Sequence, residues 1–289
     1  MPAPSSTLAA FSLAGRTAIV TGAAGLLGRQ HCRALADAGA LVVATDLDAG
    51  ALERTVAELS FDAPAGAGKV VPVAADITSA ASLKVLRDET LRLGDRVDVL
   101  VNNAAANDRF QDHGEERGDA SDAAAPTRFE NYPVEAFRRA MEVNVTGMFL
   151  SCQVLGAEMA RRSGGSIINV ASTYGLVGPD QRIYKRPDGS QGFWKSPSYP
   201  ASKGAVLAFT RFLATTWADR NVRVNSLSPG GVAQDGQEPY FVEHYALRTP
   251  LGRMAKSDEL RGAVLFLASD ASTYVTGSNV VVDGGWTAW

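Results

Sequence analysis

Apolar runs of five to eight residues recur along the chain, most of them closing on a small or polar residue. They are TAIVT (17–21), ALVVATD (40–46), KVVPVAA (69–75), VDVLVNN (97–103), SIINVAS (166–172), NVRVNSLS (221–228) and NVVVDGG (279–285), and each reads as a buried strand. Between them the apolar spacing turns helical: LLGRQHCRALADAG after the first strand, then 79–93, 133–162, the stretch SPSYPASKGAVLAFTRFLATTWA, and a short helix over 257–268. Strands alternating with helices predict a doubly wound parallel α/β sheet of about seven strands, covered on both faces. With no Pro/Gly/Ser linker, residues 1–289 are expected to form one domain. Ligands in such sheets bind beyond the carboxyl ends of the strands.

Two segments break the alternation, 106–132 and 175–197, and both follow strand ends. The first carries six acids between Asp108 and Asp122. Loops of this length are functional or decorative, and their position predicts that they overhang the ligand edge.

Hydrophobic residues make up 46% of the chain, enough for an ordinary core, and the net charge of -3 leaves no basic stripe for nucleic acid. The two cysteines, Cys32 and Cys152, fall in predicted helices without metal-ligand spacing, and no metal site is expected. They read as free thiols of a reducing compartment. The opening MPAPSSTLAAFSLAGR lacks the pattern of a signal peptide, and no run is long enough to span a membrane, so a soluble cytoplasmic protein is expected.

Chemistry concentrates at three places. Tyr199 alone among the seven tyrosines has a lysine four residues later, Lys203. One helical turn separates them, and a cation near a phenol favours its ionised form, so the pair suits general acid/base work. The turn TGAAGLLG, with Gly22, Gly25, Leu27 and Gly28, joins the first strand to the first helix, where close backbone approach and free amides suit a pyrophosphate. Asp46 ends the second strand, followed by Leu47 and Asp48 rather than a cation. A carboxylate there accepts ribose hydroxyls and repels a 2′-phosphate, which favours NAD over NADP. The plain alternative is that Asp46 caps the next helix.

With TGAAGLLG, VLVNNAA, MEVNVTG, SIINVAS, YPASK, VNSLSPGGV and YVTGSNVVVDGG in this order, the chain resembles the short-chain dehydrogenase/reductase family over about residues 13–286. The resemblance implies a Rossmann-type fold and hydride transfer between a nicotinamide dinucleotide and a small-molecule alcohol or ketone. It implies that Tyr199 exchanges a proton with the substrate oxygen and that Lys203 holds the nicotinamide ribose. Ser172 would hydrogen-bond the reacting carbonyl, and Asn144 would help hold a water linking Lys203 to solvent. Asp76 and Ile77 match positions flanking the adenine, Asn103 a position beside the cofactor ribose, and Val232 one that meets the nicotinamide amide. Four departures stand out: Leu26 where a glycine is usual, Ala105 in NNAA, Gln234 where threonine is frequent, and 27 residues from Ser172 to Tyr199, about double the usual gap.

The substrate rim is expected from 175–197, the acidic segment and 233–250, offering Asp180, Gln181, Arg182, Tyr184, Trp194, Tyr240, His244, Tyr245 and Arg248. Donors mixed with flat aromatic faces suit a polyol or sugar. PDQRIY and the VDGGWTAW end also resemble a subgroup of flagellin-modification or gluconate 5-dehydrogenase-like oxidoreductases. An NADPH-dependent reductase of 3-oxoacyl thioesters, a sugar-nucleotide epimerase and a silent NAD-binding protein are the competing readings. Apolar residues on more than one face of 133–162 and 199–219 predict a homo-oligomer, a tetramer or dimer. The aromatic tail Trp286-Thr287-Ala288-Trp289 is expected to dock on its own or a neighbouring subunit.

Overall fold

The computed structural model describes residues 6–107, 127–162, 164–191 and 193–289. One seven-stranded, all-parallel sheet runs through it: β1 (Thr17–Thr21), β2 (Leu41–Thr45), β3 (Val70–Pro72), β4 (Val99–Asn102), β5 (Gly165–Val170), β6 (Val222–Pro229) and β7 (Asn279–Val282). Their spatial order is β3-β2-β1-β4-β5-β6-β7, so the chain leaves β1 to either side and the direction of winding switches between β1 and β4. A ligand crevice belongs at that point.

Helices cover both faces: α1 (Leu26–Asp37), α2 (Ala49–Phe61), α3 (Ala80–Gly94), α4 (Val134–Met141), α5 (Met148–Ser151), α6 (Ala157–Arg161), α7 (Ser198–Thr216), α8 (Pro239–Leu247) and α9 (Arg261–Ala268). Strand periodicity divides the core between the faces. Ala18, Val20, Val42, Ala44, Val99 and Val101 pack with Leu35, Leu52 and Val264 beneath α1, α2 and α9. Ile19, Val43, Leu100 and Ile167 point the other way, onto Leu83, Leu86, Leu155, Met159, Leu207 and Leu213.

Several elements differ from the pattern-based reading. The stretch 133–162 is not one uniform α-helix: π-helical segments at Glu142–Gly147 and Cys152–Gly156 interrupt it, and a 3.6-residue apolar period cannot distinguish them. β3 is short, Val70–Pro72, although Val73 N and Ala75 N still donate to Ala44 O and Asp46 O beyond it; Pro72 sits where the missing N–H faces the free edge of this edge strand. α2 and α8 add helices where only connections were expected. Asp48, not Asp46, caps α2, accepting from Ala51 N at 2.9 Å.

The insertion 175–197 returns as a small core of its own. Ile183, Tyr184 and Phe193 from the insertion pack with Tyr245, Met254 and Trp286. Most of 106–132, including its six acids, lies outside the described residues.

Candidate active site

A cleft of about 660 Å³ runs along the carboxyl ends of β1, β2, β4 and β5 and is lined by Gly22, Asp46, Asn103, Ser172, Tyr199 and Lys203 among others. Its first wall is the glycine turn after β1. Gly22 has φ +64°, and a Cβ there would come within 2.7 Å of Ala104 Cα, so only glycine lets the turn nest against the end of β4. At Gly28 a Cβ would overlap the Gly22 carbonyl oxygen at 2.0 Å, so glycine lets α1 start directly against the turn. Leu26 does not disturb this arrangement. It opens α1 with Gly25 as N-cap, and no side chain caps the helix. The first-turn amides of Leu26 and Leu27 therefore remain available to an anion, with the helix dipole behind them, while Gly25 N donates to Gly22 O at 3.2 Å.

Asp46 holds the second wall. Its Oδ2 accepts from Ala24 N at 3.0 Å and its Oδ1 from Leu47 N at 2.8 Å, which fixes the carboxylate at the cleft. Beside it the Thr45 hydroxyl is buried with no hydrogen-bond partner among the described residues, a group the sequence reading passed over. Asp76 Oδ1 accepts from the Thr78 amide at 2.8 Å and the Thr78 hydroxyl at 2.7 Å, and this turn presents Ile77 to the cleft. Asn103 Nδ2 donates to the carbonyls of Thr21 and Gly22, each at 3.0 Å, tying β4 to the glycine turn.

Asp46 follows β2 and Ser172 follows β5, three strand positions apart in the sheet. At about 4.8 Å per strand that is roughly 14 Å, a span suited to an extended two-nucleotide ligand rather than a mononucleotide. The free amides, the fixed carboxylate and the glycine cradle fit a nicotinamide dinucleotide.

At the β5 end the insertion 175–197 loops out and returns, and it brings Ser172 and Tyr199 together in the cleft despite the 27-residue spacing. Ser172 Oγ also accepts from Tyr174 N at 3.2 Å. Lys203 is buried, and its Nζ donates to the Val170 carbonyl at 2.7 Å. Burial pushes the Tyr199 phenol up from its ordinary value, with the Ser172 hydrogen bond opposing, and lowers the Lys203 ammonium to about 8. The expected tilt toward phenolate is thus outweighed here by desolvation of the phenol.

Asn144 lies in the first π segment. Its Oδ1 accepts from Ala106 N at 2.7 Å, and its Nδ2 donates to Ala106 O at 2.9 Å and to Ser202 Oγ at 3.0 Å. The side-chain amide is therefore a clamp on the chain after β4, with both of its N–H groups already engaged. Val232 forms a bridge with Ala255 and packs against the core, while Gln234, two residues on, lines the cleft.

The expected rim is redistributed. Tyr184 and Tyr245 are buried in the satellite core rather than offered to a ligand. Arg182 makes a two-pronged contact with Asp180, and Arg248 reaches the same carboxylate at 3.1 Å, so both guanidinium groups are already paired with a carboxylate. Trp194 lies beneath the Arg128 guanidinium at 4.4 Å. His244 Nδ1 donates to Ile183 O at 3.3 Å. Asn107 lines the cleft and accepts from Lys195, and neither residue stood out in the sequence. No cluster of three metal-ligating side chains occurs among the described residues. No described helix is long and apolar enough to cross a membrane.

The family model described as enoyl-(acyl carrier protein) reductase matches residues 22–287. Galactitol 2-dehydrogenase (L-tagatose-forming) of Cereibacter sphaeroides is 37% identical over 284 residues, 96% of this chain and 98% of that one. D-threitol dehydrogenase of Mycolicibacterium smegmatis is 34% identical over 284 residues, covering 96% and 95%. Among solved structures, a gluconate 5-dehydrogenase from Burkholderia cenocepacia in complex with NADP and tartrate superposes with TM-score 0.81 at 27% identity, covering 98% of this chain and 100% of that one.

Proposed function

The chain belongs to the short-chain dehydrogenase/reductase family, and on that premise we propose that it is an NAD-dependent oxidoreductase interconverting an alcohol of a polyol or sugar-like substrate and the matching ketone. The observation that carries the reading is that Ser172, Tyr199 and Lys203 meet in the cleft that also holds Asp46. Bound NAD would supply the acceptor for the substrate's hydride at its nicotinamide ring.

Tyr199 takes the proton of the substrate hydroxyl during oxidation and returns it during reduction. Ser172 holds the same substrate oxygen in place. Lys203, on the Tyr199 face of α7, supplies positive charge beneath the site and a donor for a ribose hydroxyl. Asn144 fixes the chain after β4, through Ala106, as one wall of the substrate space. Gly22, Gly25, Leu27 and Gly28 form the pyrophosphate cradle, Asp76 and Ile77 flank the adenine, and Asn103 stands beside the cofactor ribose. Val232, whose side chain is turned to the core, would reach the nicotinamide amide by its main chain.

Asp46 supports NAD over NADP. Its oxygens are set to accept ribose hydroxyls, and a 2′-phosphate beside them would bring like charges together. An NADPH-dependent thioester reductase would need a cation where Asp46 stands. Self-association through α5 and α7 and residence in the cytoplasm complete the reading. Exposed Phe149 and Phe212, joined through Phe209 by ring contacts of 5.9 and 6.1 Å, support the former. The free cysteines Cys32 and Cys152 support the latter.

The test is a panel of galactitol, D-threitol, gluconate and an acyl-thioester ketone, each with NAD(H) and NADP(H), read by absorbance of the reduced cofactor. Turnover of a polyol or aldonate with NAD as the better cofactor is expected. Purified protein that binds NAD yet turns over only the thioester ketone would overturn the reading.

A further inference from the structure

Lys195 belongs to the insertion, four residues before Tyr199. Its Nζ stands 4.2 Å from the centroid of the Tyr199 ring, while the Lys203 Nζ stands 5.8 Å from the same point. The nearer cation is thus not the one that the Tyr-Lys spacing singles out.

Lys195 is held there by design of the insertion. Its main chain is bracketed by one side chain: Gln181 Nε2 donates to Lys195 O at 3.1 Å, and Lys195 N donates to Gln181 Oε1 at 2.8 Å. Its Nζ donates to Asn107 Oδ1, and the residue is only 9% exposed. An ammonium over an aromatic face is attracted by the ring's negative face, and more strongly once the ring carries the delocalised charge of a phenolate.

Among the described residues, the other groups around the phenol are Ser172 and the phenols of Tyr174, Tyr184 and Tyr245, and burial pushes each of those phenols up and so keeps it neutral. Asp180 lies one phenol further out, beside Tyr174, and is paired with Arg182 and Arg248. Among the described residues, the charges nearest to Tyr199 are therefore Lys195 and Lys203.

We propose that Lys195 is a positioning residue whose ammonium, held over the Tyr199 ring by Asn107 and Gln181, acts with Lys203 to hold the phenolate during alcohol oxidation. This rests on Tyr199 being the acid/base.

Lys195→Gln keeps a hydrogen bond to Asn107 and removes the charge, whereas Lys195→Arg keeps the charge. With NAD and galactitol, the acid limb of the kcat–pH profile should move up by about one pH unit in the glutamine variant and stay close to wild type in the arginine variant. The same shift should appear in the phenolate absorbance of the NAD-bound protein, taken as the difference between each chain and its Tyr199→Phe counterpart. That readout needs no turnover, so a wrong substrate assignment cannot mimic its failure. Should Lys195→Gln not fold, Asn107→Ala loosens the ammonium without removing it and should move the midpoint the same way. A phenolate midpoint unchanged in the folded variants, with any rate loss uniform across pH, would make Lys195 a strut for the insertion and overturn the proposal.

Discussion

Tyr199 is a phenol that burial pushes above its ordinary value, beside an ammonium that burial brings down to about 8. Such a phenol is protonated at neutral pH and ready to give its proton in the reducing direction. Oxidation needs the opposite state, so the oxidation rate should climb steadily as pH rises above neutral, while reduction holds until pH nears the raised value of the phenol. Initial rates in both directions across pH check this. Tyr199→Phe should lower kcat by about 10²- to 10⁴-fold, the usual loss for a positioned proton donor. NAD binding, read by quenching of protein fluorescence, should persist. Retained turnover would remove the phenol from the mechanism. Asp46→Ala should raise the KM for NAD and narrow the NAD-to-NADP ratio of kcat/KM, and an unchanged ratio would mean that the carboxylate does not meet the ribose.

The strands were legible because both faces of this sheet are covered, so each central strand reads as an unbroken apolar run ending at a turn. Motif order then placed the glycine turn, Asp46, Ser172, Tyr199 and Lys203 along one cleft. Other features have no local signature. The π segments that set the position of Asn144 share the apolar spacing of an α-helix, and Tyr184 and Tyr245 read as rim residues because nothing in 175–197 announces a core. Lys195 stayed unmarked because its place above Tyr199 depends on how the insertion returns, held by Gln181.

Helix α1 carries a further consequence. His31 is fully buried on it, neither ring nitrogen has a partner among the described residues, and burial lowers its pKa to about 4. The native imidazole stays neutral until about that pH, while the unfolded chain takes up a proton below 6.5. Stability is therefore intact above 6.5 and falls as pH drops toward 4, by at most about 3 kcal/mol. Urea midpoints at pH 7.5 and pH 5 should show this loss, and His31→Leu should flatten it.

Across the whole molecule, the sheet's carboxyl edge forms the cleft, and the insertion, α8 and the carboxyl-terminal segment form a second small core. Trp286 stacks on Tyr245 with centroids 4.2 Å apart, and Arg248 stands over the same indole at 5.6 Å. Trp289 is exposed, and its Nε1 donates to Arg248 O at 3.2 Å. Trp286→Ala should cost about 3–5 kcal/mol by the cavity it leaves, seen as a lower melting temperature and a raised substrate KM. Light scattering should report a multiple of the chain mass, and Phe212→Glu should reduce it. Asp180 joins this package from both sides, binding Arg182 within the insertion and Arg248 beyond α8. A substitution at Trp286 can thereby unsettle the insertion, and through Tyr245, whose hydroxyl accepts from Gly231 N, it also reaches the stretch from Gly230 to Gln234 at the cleft. Libraries that vary 245–248 and 286 together with 180–184 should therefore change substrate preference and coenzyme KM together, because both ends of the cleft lean on the same small core.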